Sequence, residues 1–465
     1  MLRYSILLIG ILIFSEAYSQ DDSIRTIHVH SIKIIGNRHT KSYIILRELN
    51  IKAGDSLHLK DFQKKLSKGL EQIYNTTLFV QVSSDTQFIS RNEVDLFIFV
   101  KERWYIYPLP EFQIVDRSYN EWLQKYHGSL SRVNYGIKFV DHNLTGRKDQ
   151  LRISLFDGYS REVGLNYTAP YSNPKLTTGF TVGTLYAQTR EIPYKTSFDN
   201  QLLYYTKNHF VRNSWNIQFG YSIRKAIKVS HTFTIRYNYI NQDDSTISPV
   251  YNPNFLNTPT AKAGFTDLIY TFQYLDADNI LYPLTGNTSK VIVQKRGSGL
   301  SGDLNMLMLQ GEYDHYKSLG RRWYTALQIL GMVKLPFTQS YINQQSLGYG
   351  NNYIQGLEQY VIDGIADVVG KVNIRKELLR FSVPTLFKKS KTLNTIPFRI
   401  YGKVFADGGY VYAQKEFESR LNNKFLYTSG LGLDIVTFYD IQIRLEYSFN
   451  QLGQKRLFLH NEKGF

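Results

Sequence analysis

The feature that most constrains this chain is a period-two alternation of apolar and polar residues, sustained from about residue 130 to residue 465. Trp215, Ile217, Phe219, Tyr221 and Ile223 alternate with Asn216, Gln218, Gly220, Ser222 and Arg224. Ile441, Ile443, Leu445, Tyr447 and Phe449 alternate in the same way with Gln442, Arg444, Glu446, Ser448 and Asn450. Successive side chains on a strand point to opposite faces, so each run is a strand with one apolar and one polar side. A soluble sandwich also alternates, but its strands are usually shorter. Several runs here reach about 9–11 residues, the length that crosses a bilayer when tilted. Backbone groups find no water in hydrocarbon, so strands that cross it must pair into a closed barrel.

The runs number about sixteen, within the even range of single-chain barrels. They fall near 131–141, 149–157, 161–169, 176–187, 198–206, 212–223, 230–240, 265–275, 287–296, 304–316, 321–333, 366–379, 396–408, 426–436, 440–450 and 455–464. With the N-terminal region on the inner side, the longest gaps, 241–264 and 334–365, fall outside, and the tight turn 276–286 falls inside. Within the gap 334–365 the alternation stops and a compact Tyr353-Ile354-Gln355-Gly356-Leu357 turn precedes Tyr360-Val361-Ile362-Asp363-Gly364. A loop of that length with an apolar core of its own is expected to fold inward and pack.

Mean hydropathy is only −0.31, yet the chain holds 36 tyrosines and 28 phenylalanines. Barrels show this mismatch, because every second strand residue meets lipid and aromatic girdles mark both interfaces. The net charge of +16 suits anionic partners such as lipid headgroups or acidic polypeptides, or simply a solvated basic surface. Nucleic acid is not expected as a partner, since the bases occupy the inward register of the strands. There is no cysteine, which excludes disulfides and thiolate metal sites.

Residues 1–19 read as a secretory signal: Arg3, an apolar run over 6–14, and Ala17-Tyr18-Ser19 before the cleavage point. A short segment, 20–26, leads into a separate unit at 27–104. There the alternating Ile27–Ile35 stops at Gly36-Asn37, Thr40 is placed to cap a helix over 41–49, and Phe62, Leu66, Leu70 and Ile73 share one face of a second helix. Strands near 79–83 and 94–101 follow, predicting two helices on a three-stranded sheet. His28 and His30 share a strand face but have no third ligand at motif spacing, so they read as exposed strand residues. Residues 105–129 read as a linker and 130–465 as the barrel. The fold class is therefore a small α+β domain followed by an all-β transmembrane barrel of about sixteen antiparallel strands.

Ile32-Lys33-Ile34-Ile35-Gly36-Asn37, the two helices and the Leu78–Val82 and Val94–Arg103 hairpin resemble a POTRA domain. That resemblance implies binding of client segments by strand addition to a sheet edge. The whole chain resembles the outer-membrane superfamily that includes BamA, TamA and the two-partner-secretion transporters. Carrying that likeness are Asp141-His142-Asn143-Leu144-Thr145-Gly146-Arg147, Leu275-Asp276-Ala277-Asp278-Asn279, Arg375-Lys376-Glu377-Leu378 and Phe405-Ala406-Asp407-Gly408-Gly409. Phe465 matches the family's C-terminal assembly signal.

In that family the sixth outer loop carries a (Val/Ile)-Arg-Gly-(Phe/Tyr) tip whose arginine pairs with acids on the inner wall. Here the tetrad is Ile354-Gln355-Gly356-Leu357, with glutamine in place of arginine. The alternation puts Arg375 and Glu377 on the lumen face of the twelfth run, and Arg399, Lys403 and Asp407 on that of the thirteenth. Gln355 is expected to bond to Glu377 or Asp407, about half as strongly as a charged donor would. Arg375 or Lys403 is expected to neutralise those acids, because unpaired buried carboxylates are costly.

H-E-x-x-H, P-loop and G-x-S-x-G motifs are absent from the sequence, and no triad can be placed. Asp276-Ala277-Asp278 lacks calcium-loop ligands at Ile280 and Asn287 and reads as a turn. No catalytic residue, cofactor or metal is expected. The resemblance implies an outer-membrane protein of a Gram-negative bacterium, with its N-terminal domain in the periplasm. It would assist insertion or translocation of unfolded outer-membrane or exported polypeptides through a seam between the first run (131–141) and the last (454–465). Outer-membrane lipid and accessory lipoproteins are the other partners implied. The alternative is a gated outer-membrane pore for a dedicated substrate; a weaker third is an adhesion barrel using the loop 241–264.

Overall fold

The structure is a computed structural model that describes residues 25–115, 122–123, 126–298, 304–350, 352–384, 395–437 and 440–460. The predicted signal at 1–19 and the C-terminal Phe465 lie outside these residues. The chain divides into two compact units, Met1–Glu102 and Arg103–Phe465.

The first unit contains β1 (Thr26–Ile35), α1 (Ser42–Leu49), β2 (Ser56–His58), α2 (Leu59–Tyr74), β3 (Phe79–Ser90) and β4 (Glu93–Glu102). The sheet order is β2-β1-β4-β3, so the short β2 makes it four-stranded rather than the predicted three. Alternate residues of β4 (Val94, Leu96, Ile98 and Val100) are buried together with Ile27 and Val29 of β1 and Ile44, Ile45, Leu49, Phe62 and Ile73 of the helices. Helix α2 packs against α1, β1 and β3. Ahead of α1, Glu102 accepts the backbone N–H groups of Arg38, His39 and Thr40. Gly36 (φ +103°) makes this closure possible, because a Cβ there would lie 2.0 Å from the Val100 carbonyl oxygen.

The second unit begins with β5 (Ile106–Ile114), β6 (Val133–Asp141), β7 (Gln150–Gly158), β8 (Arg161–Ala169) and β9 (Thr178–Thr189). A hairpin, β10 (Glu191–Thr196) and β11 (Leu202–Thr206), precedes β12 (Arg212–Ile223), β13 (Val229–Gln242), β14 (Lys262–Ala277) and β15 (Gly286–Arg296). Next come β16 (Met306–Gly320), β17 (Trp323–Leu335), and the short pair β18 (Gln345–Leu347) and β19 (Ile362–Asp363). The last five are β20 (Ala366–Pro384), β21 (Thr395–Tyr412), β22 (Phe425–Val436), β23 (Gln442–Asn450) and β24 (Lys455–His460). Sixteen of these form one antiparallel sheet in chain order from β5 to β24; β10-β11 and β18-β19 are separate two-stranded sheets. Among the described residues no ladder joins β5 to β24.

The count of sixteen agrees with the sequence through two errors that cancel. Residues 105–129 are not simply a linker: Ile106–Ile114 pairs along its whole length with β6. Pro108 and Pro110 mask it in the sequence, since proline is confined to sheet edges, and β5 is an edge. Conversely, the run at 198–206 is not a wall strand. β9 pairs directly with β12 from end to end, so the segment between them leaves the wall and folds on itself. Ile192 and Tyr205 of that hairpin join Phe255, Leu256 and Tyr341 in one apolar cluster, so the loop 241–264 is packed into a cap rather than extended.

Burial across the wall is inverted relative to a soluble sheet. On β20, Lys371, Asn373, Arg375 and Glu377 are buried while Val368, Val372 and Ile374 are exposed. On β23, Glu446 is 0% exposed and its neighbour Tyr447 is 42% exposed. Polar-in and apolar-out is the arrangement of a wall whose outer solvent is lipid.

Candidate functional site

The connection between β17 and β20 is the segment expected to fold inward. It is pinned at its base by the buried Lys334, whose ammonium donates to the carbonyl of Asn343 at 2.8 Å. Asn200 holds the other arm, donating to the Val361 carbonyl at 2.8 Å and accepting from its N–H at 3.0 Å. At the tip a tight turn forms, with Leu357 N–H donating to Ile354 O at 3.0 Å. Gly356 (φ +86°) lets that turn press on the wall; a Cβ there would lie 2.9 Å from Ser448 Cβ. Ile354 and Leu357 are buried with Leu347 and Ile362 of the loop and Val369, Val411, Leu421 and Leu426 around them.

Polar contacts complete the docking. Gln355 is 3% exposed; its backbone N–H donates to Asp407 at 2.9 Å and its side-chain amide to Glu446 at 2.7 Å. Asn450 donates to the Gly356 carbonyl at 2.9 Å, and Tyr360 donates to Gln454 at 3.0 Å. Tyr353 stacks on His460 of β24, centroids 5.7 Å apart, and the Lys371 ammonium lies 5.1 Å from the Tyr353 ring centroid. The loop thus touches β20, β21, β23 and β24.

Beneath the tip lies a buried charge cluster. Lys403 is 3.1 Å from Asp434 and also binds Glu446. Arg444 is 3.5 Å from Glu446 and 3.7 Å from Asp434, and Tyr282 donates to Asp434 at 3.0 Å. Two cations face two carboxylates, which is the condition for keeping charges out of water. Tyr282 arrives from the turn 276–286, where Asp278 accepts the N–H groups of Leu284 and Thr285. That turn reads as predicted, with Asp278 as its organising side chain.

The predicted residues separate into those that meet the loop and those that do not. Tyr353, Ile354, Gln355, Gly356 and Leu357 are all buried at the wall, and Asp407 receives Gln355. Glu377 does not; it is paired with Arg380 at 2.6 Å and lies 3.9 Å from Arg322. Arg375 sits over the Tyr282 ring at 5.0 Å and donates to Asn373, not to Glu377. Arg399 bonds Asp440 at 2.8 Å, an acid shared with Arg103. Lys403 does neutralise wall acids, but they are Asp434 and Glu446 rather than Glu377 and Asp407. Glu446, Asp434, Arg444 and Tyr282 were missed. The inward register of 441–450 marks Arg444 and Glu446 as lumen residues, but nothing in it says which acid the loop meets.

Away from the plug, a cavity of about 470 Å³ lies against the earlier strands, lined by residues that include Glu111, Lys138, Arg152, Glu162, Gln218 and Arg236. The inner surface therefore has a plugged half, on β20 to β24, and a charged hollow half.

The architecture is a small α+β domain followed by a sixteen-stranded antiparallel sheet, apolar on its outer face and with a loop docked on its charged inner face. Residues 27–103 match the POTRA family model, described as a surface antigen variable number repeat. The fold is similar to BamA from Haemophilus ducreyi lacking POTRA domains 1-3, with TM-score 0.52 and 14% identity, covering 93% of this chain and 83% of that one. It is also similar to CdiB from Escherichia coli, with TM-score 0.56 and 11% identity, covering 93% and 75%. No curated protein matches the chain in sequence.

Proposed function

We propose that this chain is a non-enzymatic outer-membrane protein that assists insertion or translocation of client polypeptides, with the first unit in the periplasm and the apolar rows in lipid. The observation that carries this reading is that β5 is an edge of the large sheet, with no ladder to β24 among the described residues. Tyr105 O accepts from His142 N–H and Val115 N–H donates to Arg132 O, so odd residues of β5 face β6. Even residues therefore direct their backbone groups to the outer edge, where Pro108 and Pro110 supply no N–H. A seam missing these two donors gives up fewer hydrogen bonds on opening, each worth about 1 kcal/mol.

In the first unit, the twelve-residue β3 is a sheet edge with Phe88 and Ile89 exposed near its end. It suits capture of an extended segment by strand addition. Accessory lipoproteins would be further partners. The test is depletion of the protein followed by measurement of outer-membrane barrel levels and of exported polypeptides. Unchanged levels of both refute the proposal. A cysteine pair engineered across β5 and β24 in this cysteine-free chain should block client assembly when oxidised and release it on reduction.

A gated pore is the second reading, favoured by the charged hollow against the earlier strands. Steady single-channel conductance, abolished by crosslinking Gln355 to the wall, would support it over the first.

A further inference from the structure

Where the plug meets the last strand, three side chains converge that the docking contacts do not explain. His460 Nε2 on β24 lies 3.5 Å from Glu358 Oε1 of the loop and 3.6 Å from Glu446 Oε2 of β23. Ligand atoms from the three residues lie within 4.8 Å of one another. The His460–Glu446 distance is too long for a hydrogen bond. Among the described residues, His460 Nε2 and Glu446 Oε2 have no hydrogen-bond partner, although both atoms are buried and Glu446 is 0% exposed. Burying such atoms without a partner is costly, so something is expected to bind them.

We propose that Glu358, Glu446 and His460 form a binding site for a divalent transition-metal cation, with zinc the best match. Around a tetrahedral zinc with Zn–N and Zn–O bonds of about 2.1 Å, ligand atoms stand about 3.4 Å apart. The two distances to His460 Nε2 are close to that spacing. One imidazole and two carboxylates suit zinc or a neighbouring first-row ion and leave a fourth position open. The ligands are also held in place. Lys403 and Arg444 engage Oε1 of Glu446, leaving Oε2 on the side of His460. The imidazole is stacked between Tyr353, at an interplanar angle of 13°, and Phe458, at 15°. The ion would tie the plug loop to β23 and to the terminal strand, so its occupancy would couple loop position to the strand bordering the seam.

The full chain in detergent micelles is titrated with zinc sulfate against a chromophoric chelator. The expected result is one tight site per chain, weakened at least about 100-fold in both Glu358→Gln and His460→Gln. Glu358→Gln is isosteric and lies in a loop, and circular dichroism checks that both variants keep the strand signal. X-ray absorption on the zinc-loaded chain should show one imidazole nitrogen with oxygen ligands. The proposal falls if the native chain shows no saturable site or if both variants bind zinc as tightly as the native chain, as surface histidines would. It also falls if magnesium displaces zinc at comparable concentration, which marks an unselective acidic cluster. Binding is measured on the purified chain without client, so this outcome is independent of the insertion or translocation reading.

Discussion

At the scale of single residues, Gln355 at the loop tip meets the charged wall through one side-chain amide and one backbone N–H. The side chain of Gln355 donates to the Glu446 carboxylate, which Lys403 and Arg444 also contact. Gln355→Ala should therefore cost about 1.5–3 kcal/mol of loop docking, with the backbone contact to Asp407 surviving. Limited proteolysis of the loop would read this as faster cleavage. Lys403→Ala should be worse, destabilising the folded state by about 3–5 kcal/mol, because Asp434 and Glu446 both lose the ammonium they share. The fraction of chain that resists unfolding by heat in detergent checks that order; equal loss in the two variants contradicts it. The loop tip was legible in the sequence because apolar residues around a glycine stand in an otherwise polar gap. Its partner Glu446 was not, since it is 91 positions away and only pairing across the sheet brings it near.

Individual elements follow their local patterns except where proline or a crossover intervenes. In the first unit, Asp95 of β4 accepts hydrogen bonds from Ser31 at 2.5 Å and His30 at 2.9 Å on β1, which hold its pKa down to about 2. A carboxyl depressed in the folded state stabilises folding above its unfolded pKa near 4. That contribution disappears as pH falls from about 4 to about 2. Ser31→Ala should move the Asp95 titration, followed by NMR of its carboxyl carbon, back toward the ordinary carboxylate range. β5 is the opposite case. Pro108 and Pro110 break the strand signature in the sequence while marking the edge in the structure. Replacing both with Thr should restore two edge donors and strengthen closure against β24. Slower exchange of the new amides and reduced client assembly are the expected readouts; faster assembly would contradict the role given to this edge.

Taken whole, the wall is a soluble protein's sheet turned inside out, and its charges are sorted into two inner regions. A plugged half carries the loop, the buried ion cluster and the His460 corner; a hollow half carries Lys138, Arg152 and Arg236 facing Glu111 and Glu162. Opening the seam next to the plugged half should be sensitive to loop mutations, whereas charge reversal in the hollow half should alter conductance and leave seam opening unchanged. Arg152→Glu with Arg236→Glu, compared with Gln355→Ala in bilayer conductance and seam crosslinking, separates the two. Local sequence pattern dictates that the strands are two-faced, preceded by an α+β domain and interrupted by an infolding loop, because alternation and turn residues are local properties. Tertiary structure alone decided which acid receives Gln355, that Ile106–Ile114 is an edge strand of the large sheet, and that 191–206 leaves the wall. Each of those depends on strand pairing between distant segments, and a hydrogen-bonded ladder leaves no local trace in the residues that join it.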